Sequence, residues 1–164
     1  MSATSEAWRD GLRPPSRRSK VLLLAAAGLG VIHLVDHVLR ADHSGWPFLD
    51  EVTPFTFFAV AVLPVILFAH FDRSRPWLRF GLVAFLLVAV LFAHVFLETP
   101  GDQYGVWAMN ASTEPYALGR PNLLNVESPI LGVLAAVEAA LLNLSLLAAA
   151  VSLFVDARRA GVRA

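Results

Sequence analysis

Apolar residues fall in four long blocks, 21–39, 52–71, 77–97 and 129–155, separated by stretches rich in charge, Pro and Gly. Crossing roughly 30 Å of hydrocarbon at 1.5 Å per residue takes about 20 helical residues. Each block therefore predicts a membrane-spanning helix, and the set predicts an all-α four-helix membrane bundle. Pro64 sits in the middle of the second block, where a missing amide and a ring clash predict a kink. Pro54 sits near its start, where proline is harmless. The fourth block is long enough to tilt or to project beyond the bilayer. What remains is a basic tail over 1–20, short connections over 40–51 and 72–76, a long connection over 98–128, and a second basic tail over 156–164.

Composition agrees with the pattern: 57% of the residues are hydrophobic and 16% charged, with a mean hydropathy of +0.62, where a soluble domain carries about 25% charged residues. The chain has no cysteine. That removes disulfides, thiolate metal sites, iron–sulfur clusters and covalently attached haem. Of the thirteen Lys and Arg residues, all but Arg40 and Arg120 lie in the two tails or beside the short 72–76 connection. The positive-inside rule then predicts both termini in the cytoplasm of a multi-pass plasma-membrane protein, with an even number of crossings. A cleaved signal peptide is the rival reading of the first block, but its apolar run is long and contains His33, Asp36 and His37. The 5–20 segment, with Pro14-Pro15, reads as a lipid-facing tail rather than a nucleic-acid arm. Walker loops, nucleophile elbows and basic nucleic-acid patches are absent from the sequence. The Ala25-Ala26-Ala27-Gly28-Leu29-Gly30 run follows no strand and reads as close helix packing.

The candidate chemistry lies inside the apolar blocks. Ionisable groups at membrane depth are costly, so they point to function by default. His33, Asp36, His37 and Arg40 fall in one narrow stripe of the first helix. The first and third spans run in the same direction, which puts His37 level with His94 in the outer half. His94 and Glu98, like His33 and His37, are spaced i, i+4 on one face. His33, His37, His94 and Glu98 thus form a candidate metal-ligand set, with Asp36 placed to orient a histidine. On the fourth span Glu127 at the outer mouth and Glu138 deeper in share a face, and serve as outer partners or as a proton path. His70 reads as a structural histidine, His43 as a solvated loop residue, and Asn143 and Ser145 as interhelical contacts.

Three function classes follow. Imidazole and carboxylate ligands without thiolate suit copper, zinc or iron, in a redox role if the metal is redox-active. Alternatively, His37 and His94 could hold haem b between two facing helices. The third class is a non-enzymatic membrane subunit, or a proton or small-solute carrier, whose polar groups are structural ties. The lipid bilayer is the implied environment, and a membrane partner or a second copy could complete the cluster. In the 98–128 connection, Tyr104, Trp107 and Tyr116 are placed for the headgroup level, and a loop of that length suits a lid or a partner surface. Asn110-Ala111-Ser112 has the form of a glycosylation sequon.

Overall fold

A computed structural model describes residues 13–41, 54–73, 75–115 and 117–161. Within them the chain forms helices α1 (Arg17–Arg40), α2 (Pro54–Phe71), α3 (Pro76–Phe92), α4 (Pro100–Ala108) and α5 (Pro129–Gly161), with a π-helical turn, Ala93–Leu97, extending α3. Three helices are long and apolar enough to cross a membrane: Arg17–Arg40, Pro76–Leu97 and Pro129–Gly161. Val60–Phe71 is a shorter apolar helical stretch. Helix α2 continues through Pro64 without a break. The expected loop residue His43 lies outside the described residues, as do Arg9 and Arg163 of the tails.

Contacts at one end fix the helix directions. The Ser16 hydroxyl caps α1 by accepting from the Ser19 amide at 3.2 Å. The Ser16 amide donates to Asp156, near the end of α5, at 2.9 Å. Arg79, in the first turn of α3, donates to the carbonyl of Arg13 at 2.9 Å. One end of the bundle therefore gathers the starts of α1 and α3 with the end of α5. Those two helices are parallel, and α5 runs against them.

The buried residues of α1 are Ser19, Leu23, Ala26, Gly30, His33, His37 and Arg40. Their alternating steps of four and three trace the 3.5-residue seam by which long helices pack side by side. Helix α5 repeats the pattern through Gly132, Ala135, Ala139, Leu142, Leu146, Ala149 and Leu153. Toward the basic end the seams are apolar, with Leu23, Ile66, Val83, Leu146 and Leu153 fully buried. Toward the other end the α1 seam turns polar. Side chains outside the seams, such as Phe85, Phe96 and Ile130, are at least 70% exposed, as a lipid-facing surface requires.

Helix α3 follows the same steps through Arg79, Val83, Leu86 and Val90. Continued, they would bury Ala93 and Leu97, yet the buried residues are His94 and Glu98. The π-turn makes the difference: the Glu98 amide donates to the carbonyl of Ala93, five residues back, at 2.8 Å. One residue is added to the turn, and the two ligand-type side chains swing into the seam. Such bulges occur often at functional sites.

The 98–128 connection is a packed cap. Thr99 and Asp102 form a reciprocal capping box at the start of α4. Asn122 clasps the cap, donating to the carbonyls of Val106 and Val126 and accepting from the Val126 amide. The Ser128 amide donates to the carbonyl of Trp107 at 2.7 Å. Helix α4 lies so close to α5 that a Cβ on Gly132 would sit 2.7 Å from the Tyr104 carbonyl oxygen. Trp107, expected at the headgroup level, is instead 4% exposed. Tyr104 is half-exposed, and the Tyr116 side chain lies outside the described residues. The Asn110 amide is occupied by Asn125 and by the Asn122 backbone, and Ser112 is buried.

Candidate metal centre

Where the α1 seam turns polar, three imidazoles converge through one kind of atom. His33 Nε2 lies 3.0 Å from His37 Nε2 and 2.9 Å from His94 Nε2. A Glu98 carboxylate oxygen lies 3.4 Å from His37 Nε2. His33, His94 and Glu98 can each offer a ligand atom within 4.8 Å of the others, and all three residues are buried. Two ligands about 2.0–2.1 Å from one ion lie about 2.9 Å apart at a right angle and about 3.4 Å apart at the tetrahedral angle. The His33–His37, His33–His94 and His37–Glu98 separations fall in that range. The i, i+4 spacing in α1 sets the first two rings, and the π-turn brings the third ring and the carboxylate to meet them.

Every ring also has a partner at its other nitrogen. His33 Nδ1 is 2.8 Å from Glu138 Oε2. His94 Nδ1 is 2.8 Å from Asn143 Nδ2, which also donates to the carbonyl of Ala139 at 3.0 Å. That second bond fixes which end of the amide faces the ring. His37 Nδ1 accepts from Arg40 NH2 at 3.3 Å. A carboxylate accepts, so His33 carries its proton on Nδ1 and presents a bare Nε2. Asn143 and Arg40 donate, so in the neutral state His94 and His37 carry theirs on Nε2. Both nitrogens then lie within donor distance of His33 Nε2, and that of His37 also lies 3.4 Å from Glu98.

Arg40 is fully buried and ties the outer rim together. It pairs with Asp36 at 2.6 Å, one helical turn away, and with Glu98 across the helix boundary. The other oxygen of Asp36 accepts from the Trp107 indole at 2.8 Å. Asp36, expected to orient a histidine, thus spends both oxygens on Arg40 and Trp107, and the orienting falls to Glu138, Asn143 and Arg40. When ionised, Asp36, Glu98 and Glu138 set three negative charges against the Arg40 guanidinium among the described residues that meet here, a balance that favours a cation.

The remaining candidates stand apart. Glu127 is exposed. His70 packs edge-on to Phe71 with ring centroids 4.8 Å apart. Ser145 bonds back to the carbonyl of Leu142 within its own helix. Asn143, expected as an interhelical contact, makes one to His94, and Trp107 is the partner expected elsewhere. A signal existed for Asn143, an amide in an otherwise apolar run four residues after the buried Ala139. None existed for Trp107, whose position depends on how the cap folds back.

No protein-family model, curated protein or solved structure matches the chain. The functional reading therefore rests on the geometry.

Proposed function

We propose that this protein is a membrane metal-binding protein that holds a divalent transition ion in the outer half of the bilayer through His33, His37, His94 and Glu98. The observation that carries the reading is the approach of the His37 and His94 Nε2 atoms to His33 Nε2 beside a buried carboxylate. Glu138 supports it as the carboxylate that holds His33 with Nε2 free to bind, a recurring arrangement behind metal-bound histidine. Nitrogen and oxygen donors without thiolate suit copper, zinc or iron. The same packing lends less support to haem b on His37 and His94. Both of those nitrogens turn toward His33, which takes the central place a macrocycle would need.

In this reading four helices cross the membrane with both termini in the cytoplasm. The gathering of Arg13, Arg79 and Arg159 at one end supports that orientation. A second reading, a metal-free proton or structural network, is favoured by one specific observation. Arg40 and Asn143 offer donors to His37 and His94, so metal binding requires the two Nε2 protons to leave and those partners to shift.

Elemental analysis and a visible spectrum of detergent-purified protein, after incubation with excess metal and desalting, separate the readings. The metal reading expects about one ion per chain, lost in His37→Ala and His94→Ala, weakened in Glu98→Gln and unchanged in His70→Ala. An intense band at the blue edge of the visible selects haem. Unchanged content across all four variants, or none in the wild type, selects the network.

A further inference from the structure

A cleft of about 350 Å³ opens beside the centre on the outside of the bundle, between α1, α4 and α5. Its rim includes Ile32, Leu134 and Leu141, each roughly half exposed on the lipid-facing surface. A molecule reaching it comes from the hydrocarbon rather than from water. The floor differs from the walls. Asp36, Glu138 and Trp107 line it, and the Trp107 indole is held in place by its bond to Asp36.

The two carboxylates are not equivalent. Both oxygens of Asp36 have donors, Trp107 on one and Arg40 on the other. Glu138 has one oxygen on His33 Nδ1, while Oε1 is buried with no hydrogen-bond partner. A buried acceptor without a donor is costly, and the cost is removed by any occupant that brings one. A lipid acyl chain fills apolar space but cannot donate. An ammonium donates but carries its charge into hydrocarbon. A neutral hydroxyl on an apolar body meets both demands, and the indole offers a flat wall for an aromatic ring.

We infer that this cleft binds a lipid-soluble phenol, its hydrocarbon portion among Ile32, Leu134 and Leu141 and its hydroxyl donating to Glu138 Oε1 once a turn of the Glu138 carboxylate brings that oxygen to the cleft. Glu138 then touches the phenol with one oxygen and His33 with the other. The inference deepens the metal reading by naming the class of molecule that reaches the centre, and rests on that reading for its link to the metal.

The test uses full-length protein in lipid nanodiscs and an alkylphenol carrying a photoreactive diazirine in its chain, with labelled positions read by mass spectrometry. Saturable labelling is expected near Ile32, Leu134 and Leu141. It should be competed at least tenfold better by 4-nonylphenol than by the methyl ether of the same compound, which cannot donate. Leu134→Trp, which fills the cleft from a lipid-facing position, should abolish labelling while leaving the thermal unfolding midpoint unchanged. Glu138→Gln, whose amide oxygen would face His33 and whose NH2 would face the cleft, should erase the preference for phenol over ether. Equal competition by phenol and ether in the wild type, or labelling that does not saturate, overturns the inference. Metal content measured on the same samples keeps the two readings apart. Bound metal without saturable labelling removes the cleft inference alone, and saturable labelling without metal supports the cleft while removing the metal reading.

Discussion

Replacing Arg40 with methionine removes the single guanidinium that joins Asp36, Glu98 and His37. Arg40 is 0% exposed and Glu98 1% exposed, so bulk water cannot take the place of the guanidinium beside Glu98. Breaking a buried pair by deleting one partner costs about 3–5 kcal/mol. At 1.4 kcal/mol per decade, that is roughly a hundred- to several-thousand-fold shift toward the unfolded state. Most of the loss is the penalty of the carboxylates left behind rather than the worth of the ion pair. Adding Asp36→Asn and Glu98→Gln to Arg40→Met should therefore recover much of it, a coupling that neighbouring sites show and independent ones do not. Unfolding in dodecyl maltoside micelles with increasing sodium dodecyl sulfate, followed by circular dichroism, reads both effects. A loss within about 1 kcal/mol for Arg40→Met, as for an exposed pair, refutes the reasoning. So does a triple variant no more stable than the single one.

Gly132→Ala should cost about 1–3 kcal/mol by overpacking against Tyr104, whereas Gly28→Ala, which meets nothing within 4 Å, should be neutral or gain up to about 1 kcal/mol of helix propensity; thermal unfolding of the two variants side by side checks the contrast. For Asp102, burial pushes the carboxyl pKa up, but hydrogen bonds from the Thr113 and Thr99 hydroxyls and the Thr99 amide outweigh it and hold the pKa below the ordinary 3.8. Its contribution to the cap is therefore complete above that value and lost as pH falls through the lower folded value. Acid titration of the cap, followed by Trp107 fluorescence in a variant lacking the other tryptophans, should lose this step in Asp102→Asn. Reporter fusions after residues 45 and 110 should read outside, and fusions at residue 74 and the C-terminus inside. An inverted result at any of the four rejects the orientation.

Much of the site is legible in the sequence because helical spacing is a strong constraint. His33 and His37 one turn apart in an apolar run have to share a face, and Glu138 is placed at their depth by counting along an antiparallel helix. Arg40 is less legible. As an i, i+4 partner of Asp36 it looks like a boundary ion pair, and its pairing with Glu98 depends on how α1 and α3 are rotated about their axes. Trp107 is misleading for a different reason: an aromatic residue in a polar loop beside a membrane resembles an interfacial anchor. Its burial follows from the capping box, the Asn122 clasp and the close approach at Gly132, which together fold the loop onto the bundle. Asp36 then goes to the indole and Arg40 rather than to a histidine.

The π-turn at Ala93–Leu97 holds one more residue than a regular helical turn would. Delete one residue between Val90 and His94, and an unbroken α-helix places the imidazole three and the carboxylate seven residues after Val90, on the same seam. Straighten the turn without a deletion, and both side chains rotate by about 100° out of that seam. The convergence of α1 and α3 side chains thus depends on a match between helix geometry and residue count that can be met in two ways, with a bulge and the extra residue or with neither. A shorter α3 and a bulged one present the same two side chains, and only a mismatch between the two separates the cluster from the fold.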